Sequence, residues 1–137
     1  MAAPSTKPSI LFVCVANSCR SQMAEAIARS LAGGRWEVWS AGSQPSGRVH
    51  PVAEQLMAEA GLLLQGHRSK GLDEVPGRQW DYVITMGCGD RCPTVSARQH
   101  LAWDIPDPVG LPVEDARRIR DQITGLIQQL IHSQEAS

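Results

Sequence analysis

Ile10-Leu11-Phe12-Val13 is an unbroken apolar run of strand-forming residues. It leads through a polar loop, Cys14 to Ser21, into a helical stripe at Met23, Ile27 and Leu31. A strand without polar alternation is buried on both faces, as at the centre of a parallel sheet. Parallel neighbours then require crossover connections, normally helical and right-handed. The rest of the chain supplies the parts. Gly33-Gly34 closes the first helix. Trp36 to Trp39 alternates as a second strand before the turn-rich stretch Ala41 to Gly47. Pro51 suits a helix first turn, and Val52, Leu56 and Ala60 continue one face to Gly61. Asp81 to Met86 reads as a third strand and Leu101 to Trp103 as a short fourth. From Pro112 onward, Ala116, Ile119, Ile123, Ile127 and Leu130 form a long amphipathic helix. The pattern predicts an α/β fold, a single-domain three-layer sandwich around a mostly parallel four-stranded sheet. Residues 1–8 are expected to be a flexible tail and 9–137 the domain.

Composition narrows the function. A chain of 137 residues with 42% apolar content can bury a real core, and no apolar run approaches the ~20 residues of a membrane span. The N-terminal stretch is small and polar, without the apolar centre of a secretory signal, so a cytoplasmic location is expected. A net charge of −1 argues against nucleic acid as a partner held by bulk electrostatics. Four cysteines, at 14, 19, 88 and 92, in a reducing compartment point to catalytic, redox or metal-binding thiols rather than structural disulfides.

The loop after the first strand has the form C-x5-R, Cys14 to Arg20. In parallel sheets ligands bind at the carboxyl ends of strands, beside helix N-termini. Backbone N–H groups of Val15, Ala16, Asn17, Ser18, Cys19, Arg20 and Ser21 would surround a tetrahedral oxyanion, with the helix dipole behind them and the Arg20 guanidinium as a bidentate fork. Such a positive field also favours a thiolate, the nucleophilic form of cysteine. The spacing alone is weakly diagnostic, because Cys92 to Arg98 repeats it. Only the first copy sits between a strand and a helix.

The segment Cys14 to Glu25, CVANSCRSQMAE, resembles the signature of arsenate reductases with the low-molecular-weight tyrosine phosphatase fold. Trp39-Ser40-Ala41-Gly42, His67-Arg68-Ser69 and Asp107-Pro108 follow in that family's order. The resemblance implies Cys14 as nucleophile and Asp107 as the acid that protonates the leaving oxygen, with Asp104 as a rival. It implies that Cys88 attacks the thiol–arsenate adduct and that Cys92 resolves the resulting disulfide for an external reductant. Thioredoxin is the first expectation; glutaredoxin or a small thiol stays open because only three residues separate Cys88 from Cys92. No bound cofactor and no metal are expected, and the enzyme is expected to be a monomer. Asn17 is expected to shape the anion loop. Ser21 is expected to bond the Cys14 sulfur, to cap the first helix, or to do both, and Cys19 to be a buried bystander. Some reductases of this type hold potassium with an asparagine, a glutamate and a serine matching Asn17, Glu25 and Ser40, plus an acidic group. That acidic position is Lys70 here, so no potassium requirement is expected.

Two other readings stay open at this level. A phosphatase would use Cys14 and Asp107 and need no further thiol, but phosphatases of this fold usually carry proline where Gln22 stands and an aromatic where Val109 stands. A zinc site at Cys88, Cys92 and His100 lacks an obvious fourth ligand. His50, His67 and His132 have no partner visible in sequence.

Overall fold

The computed structural model describes residues 7–64, 66–87 and 95–136, so Cys88 and Cys92 lie outside the described residues. The chain runs β1 (Ser9–Cys14), α1 (Arg20–Ala32), β2 (Glu37–Gly42), α2 (Pro51–Glu59), a 3-10 turn (Leu72–Glu74), β3 (Trp80–Met86), β4 (Ala97–Trp103) and α3 (Val113–Ala136). The four strands form one parallel sheet in the order β2-β1-β3-β4.

The unbroken apolar run of β1 has its predicted cause. Every residue of the strand is buried, because it lies between β2 and β3 with both faces covered. On one face Ile10 and Phe12 pack against Met23 and Ile27 of α1, Leu56 and Met57 of α2, and Ile119, Ile123 and Ile127 of α3. On the other, Leu11 and Val13 join Trp80 and Val83, covered by Leu72 and Val75 at the 3-10 turn. The third layer is therefore thin, a turn and its flanks rather than a helix. Alanines at 24, 26 and 28 keep α1 slim where it crosses the sheet, and Gly33 ends it in the left-handed conformation, donating its N–H to Arg29.

Two boundaries differ from the sequence reading. β2 continues through Ala41 and Gly42, which read as turn residues, because Gly42 pairs with Cys14 at the end of the sheet. β4 begins at Ala97, well before Leu101. It is an edge strand with little burial, so it needs no apolar pattern to form. Arg98 sits on that strand and opens no helix.

The chain leaves β1 toward β2 on one side and returns to β3 on the other. The carboxyl end of β1 is therefore the switch point of the sheet, where a crevice opens between diverging connections. Cys14 is the last residue of β1.

Candidate active site

The loop from Cys14 to Cys19 is held from outside by its carbonyl oxygens. Cys14 O accepts from Ser43 N (3.3 Å), Val15 O from Gln44 N (2.9 Å), Ala16 O from Ser46 N (3.0 Å), Ser18 O from His50 N (2.8 Å) and Cys19 O from Met23 N (2.9 Å). Side chains complete the set: Ser69 Oγ donates to Ala16 O (2.8 Å) and Gln22 Nε2 to Asn17 O (3.1 Å). In a planar trans peptide each N–H points opposite to the carbonyl before it. With the carbonyls of residues 14–19 turned outward, the amides of Val15 through Arg20 turn inward. The Asn17 amide, 3.3 Å from Cys14 Sγ, has this orientation.

At the focus of those amides lies the Cys14 sulfur, only 4% exposed and 2.8 Å from Ser21 Oγ. Ser21 belongs to the first turn of α1, so its expected capping role does not occur; the N-cap is Cys19, which makes no side-chain cap. The first turn of α1 also holds no acidic side chain. Its free N–H groups and positive dipole end are left for an anion.

Asn17 sets the curvature of the loop. Among the described residues it is the one non-glycine with positive φ, at 48°, a region asparagine tolerates better than most side chains. Its buried side chain is fully used: Nδ2 donates to Ser21 Oγ (2.8 Å) and Ser40 Oγ (3.0 Å), and Oδ1 accepts from Gln22 Nε2 and Lys70 N (both 2.9 Å). With Asn17 donating to the Ser21 oxygen, the Ser21 proton is free to point at Cys14 Sγ.

Behind Asn17 lies a buried charge cluster. Glu25 Oε1 accepts from Ser40 Oγ (2.5 Å) and from Lys70 Nζ (3.3 Å), while Oε2 pairs with Arg29 (2.9 Å). Lys70 Nζ is also 3.3 Å from Ser40 Oγ. The oxygens that would hold a potassium ion thus already share a lysine ammonium, so the donor set does not fit a second cation.

Across the cleft, Asp107 and Val109 join Cys14, Ser18 and Arg20 in lining a cavity of about 210 Å³. The Asp107 carboxylate accepts from Val109 N at 3.0 Å, which fixes its direction on the loop. Asp104 faces a different hollow with Thr85, Gly87 and Trp103, so of the two acids Asp107 shares the cleft with Cys14. Arg20 Nη1 donates to Ile105 O (2.8 Å) and so ties the anion loop to the loop carrying Asp107. Cys19 lines the same cleft but is buried. Burial first, then the charges of Asp107 and Cys14, push its thiol up to about 12, against the pull of Arg20. It stays protonated at neutral pH. A larger hollow of about 570 Å³ lies at the opposite, amino-terminal end of β1 and β2, beside Trp36 and Trp39, and its lining holds no cysteine.

Three further residues support the site in ways the sequence did not signal. Gln22 joins Asn17 to Arg68 O (2.8 Å) and to His67 Nδ1 (3.0 Å through Oε1). Its buried amide lies with Ser21 and Glu25 on a helix otherwise packed by alanines and apolar residues, and that polar cluster was the available hint. His67 also lies 4.0 Å from Glu25. Burial holds His67 below its ordinary 6.5, with Glu25 pulling upward and Arg29 and Lys70 pushing down. The folded state therefore binds fewer protons than the unfolded chain in the window below 6.5. Stability should be level above that pH and fall as the solution is acidified through it. A His67→Gln variant, followed by thermal unfolding against pH, should flatten that slope; an unchanged slope would rule His67 out as its source.

Gly42 is the third. A Cβ there would lie 2.9 Å from Asn17 N and 3.1 Å from Ala16 C, and would clash with Val15 O. All three are backbone atoms of the anion loop and cannot swing aside. Gly42→Ala should cost about 1–3 kcal/mol, lowering Tm by roughly 3–12 °C, and weaken inorganic phosphate binding as the loop is pushed open. Calorimetry on this variant would refute the steric argument if both values matched wild type.

The chain is similar to known proteins over most of its length. The glutaredoxin arsenate reductase of Synechocystis sp. is 38% identical over 125 residues, covering 89% of this chain and 95% of that protein. The solved structure of an arsenate reductase in the phosphate binding state superposes with a TM-score of 0.83 at 36% identity, covering 92% of this chain and 98% of the other. The thioredoxin-dependent arsenate reductase of Corynebacterium glutamicum superposes with a TM-score of 0.79 at 34% identity, covering 98% of this chain and 66% of the other. Residues 9–136 match the family described as low molecular weight phosphotyrosine protein phosphatase, and the chain belongs to that family.

Proposed function

We propose that this protein is an arsenate reductase that uses Cys14 as nucleophile. The observation that carries the reading is the Cys14 sulfur at the focus of a loop whose carbonyls are all tied outward, with an arginine, a helix N-terminus and Asp107 around one small cleft. A dianionic tetrahedral oxyanion suits that cradle, and the reductase names of the relatives point to arsenate as its substrate.

In the proposed cycle the Cys14 thiolate attacks arsenic, and Asp107 protonates the departing oxygen, which leaves as water. The Cys88 thiolate then attacks the Cys14 sulfur. A Cys14–Cys88 disulfide forms, the sulfur–arsenic bond breaks, and its electron pair stays on arsenic, which leaves as arsenite. Cys92 attacks the Cys88 sulfur next, freeing Cys14 and leaving a Cys88–Cys92 disulfide. An external dithiol or thiol, thioredoxin first and glutaredoxin or a small thiol as alternatives, reduces that disulfide. Val15 through Ser21 bind the substrate through backbone amides, with Arg20 adding its guanidinium. We further propose a monomeric, cytoplasmic enzyme in which the Lys70 ammonium takes the place of a bound potassium ion. The named relatives differ in their thiol donor, one a glutaredoxin enzyme and one thioredoxin-dependent.

A phosphatase reading shares Cys14, Arg20 and Asp107, and is favoured by the family match alone. One assay separates the two. Purified protein is given arsenate with thioredoxin, glutaredoxin or a small thiol in turn, beside a Cys88→Ser variant and a phosphomonoester control. Reduction should require one of the donors and vanish in Cys88→Ser, while slow phosphomonoester hydrolysis persists. Arsenite release by Cys88→Ser at the wild-type rate would defeat the disulfide cycle. Rapid phosphomonoester turnover with no arsenite from any donor would favour the phosphatase.

A further inference from the structure

Gly87 closes β3 with a φ of +84°. The conformation alone explains a glycine, as it does at several other turns of this chain. Its surroundings add a second requirement. A Cβ at Gly87 would clash with Arg20 Nη1, lie 3.5 Å from Arg20 Cζ and come within 2.9 Å of the Ile105 carbonyl oxygen. Those atoms are the two partners of the hydrogen bond that ties Arg20 to the loop of Asp107. The oxygen is fixed, because Ile105 is buried and its N–H is bonded to Trp103 O at 3.0 Å. Any side chain at position 87 must therefore displace the guanidinium.

We propose that Gly87 is a positioning residue for oxyanion binding: its bare Cα keeps open the space in which Arg20 donates to Ile105 O and stays aimed at the cleft. The inference rests on Arg20 serving as the oxyanion-binding arginine proposed above.

The substitution Gly87→Ala isolates the contact when set beside Gly61→Ala. Gly61 has a similar φ of +78° with nothing within 4 Å of its Cβ position, so it carries the same backbone strain without the arginine. Titration calorimetry with inorganic phosphate is run on wild type, on each alanine variant, on Arg20→Lys and on the Gly87→Ala/Arg20→Lys double variant. Gly87→Ala should raise the phosphate Kd about tenfold, the size of one lost charge-assisted hydrogen bond. Gly61→Ala should stay within about twofold of wild type, its cost appearing in Tm instead. In the Arg20→Lys background, where no Nη1 needs the space, Gly87→Ala should add less than about twofold. A wild-type Kd in Gly87→Ala, or an undiminished tenfold loss in the double variant, would overturn the proposal. A crystal structure of Gly87→Ala is the second arm: the guanidinium should be off Ile105 O, and finding it still bonded there refutes the inference. If wild type itself fails to bind phosphate, the oxyanion reading of the site is what falls, and the crystal structure still decides the role of Gly87.

Discussion

Cys14→Ser should abolish arsenite formation, a loss of about 10⁴-fold or more, while leaving the anion cradle in place. The change replaces one atom. A serine oxygen can still meet Ser21 Oγ and the Asn17 amide, the two groups beside the sulfur, so the fold should keep its Tm. What disappears is the sulfur, whose thiolate is a far stronger nucleophile than a serine hydroxyl. The same substitution makes a second prediction. When Cys14 is ionised, an incoming oxyanion meets its negative charge at contact distance; at ~4 Å and an effective dielectric near 20 that repulsion is of order 4 kcal/mol before screening. The serine variant should therefore bind inorganic phosphate at least about tenfold more tightly than wild type in calorimetry. Loss of phosphate binding in Cys14→Ser would mean that the sulfur shapes the loop rather than attacking from it.

Lys70→Asp should produce the largest change in stability. Lys70 is only 8% exposed, and its ammonium is shared by Glu25 and Ser40. Removing one partner of a buried ion pair costs about 3–5 kcal/mol, and here a second carboxylate would be set against the first. In potassium-free buffer Tm should fall by roughly 10–20 °C. The variant also restores the acidic group that the family resemblance implies for a potassium site. Potassium chloride should then restore part of the loss by mass action, where choline chloride at equal ionic strength does not. Wild type should unfold at the same temperature in both salts. A potassium-specific rise in the wild-type Tm would show that the ammonium does not fill the site.

The central strand, the anion loop and the first helix were legible because each is written in side chains. β1 is apolar throughout since both its faces are covered, and Cys14, Arg20 and Ser21 stand at fixed spacing between strand and helix. β4 was mostly hidden because an edge strand buries little, and Arg98-Gln99-His100 shows no alternation. The supports of the loop were hidden for another reason. Ser43, Gln44, Ser46 and His50 act through backbone N–H groups, which nearly any residue possesses. Gly42 and Gly87 matter through side chains they lack, visible only once the opposing atoms are in place. Lys70 became readable only by register with related sequences, and the partner of His67 not at all, since Gln22 links it to the loop across 45 positions of chain.

The outward-tied loop also bears on how the protein comes off the ribosome. Cys14 and Arg20 emerge early, but the groups that bend residues 14–19 into a cradle arrive from 40, 43–46, 50 and 69–70, and Ile105 anchors Arg20 later still. Contacts so distant along the chain close late in folding. A nascent or truncated chain that carries the whole C-x5-R motif should accordingly have no oxyanion affinity. Ligand-binding capacity should appear in one cooperative step with the final collapse of the sheet, which makes phosphate binding a reporter of complete folding rather than of motif synthesis.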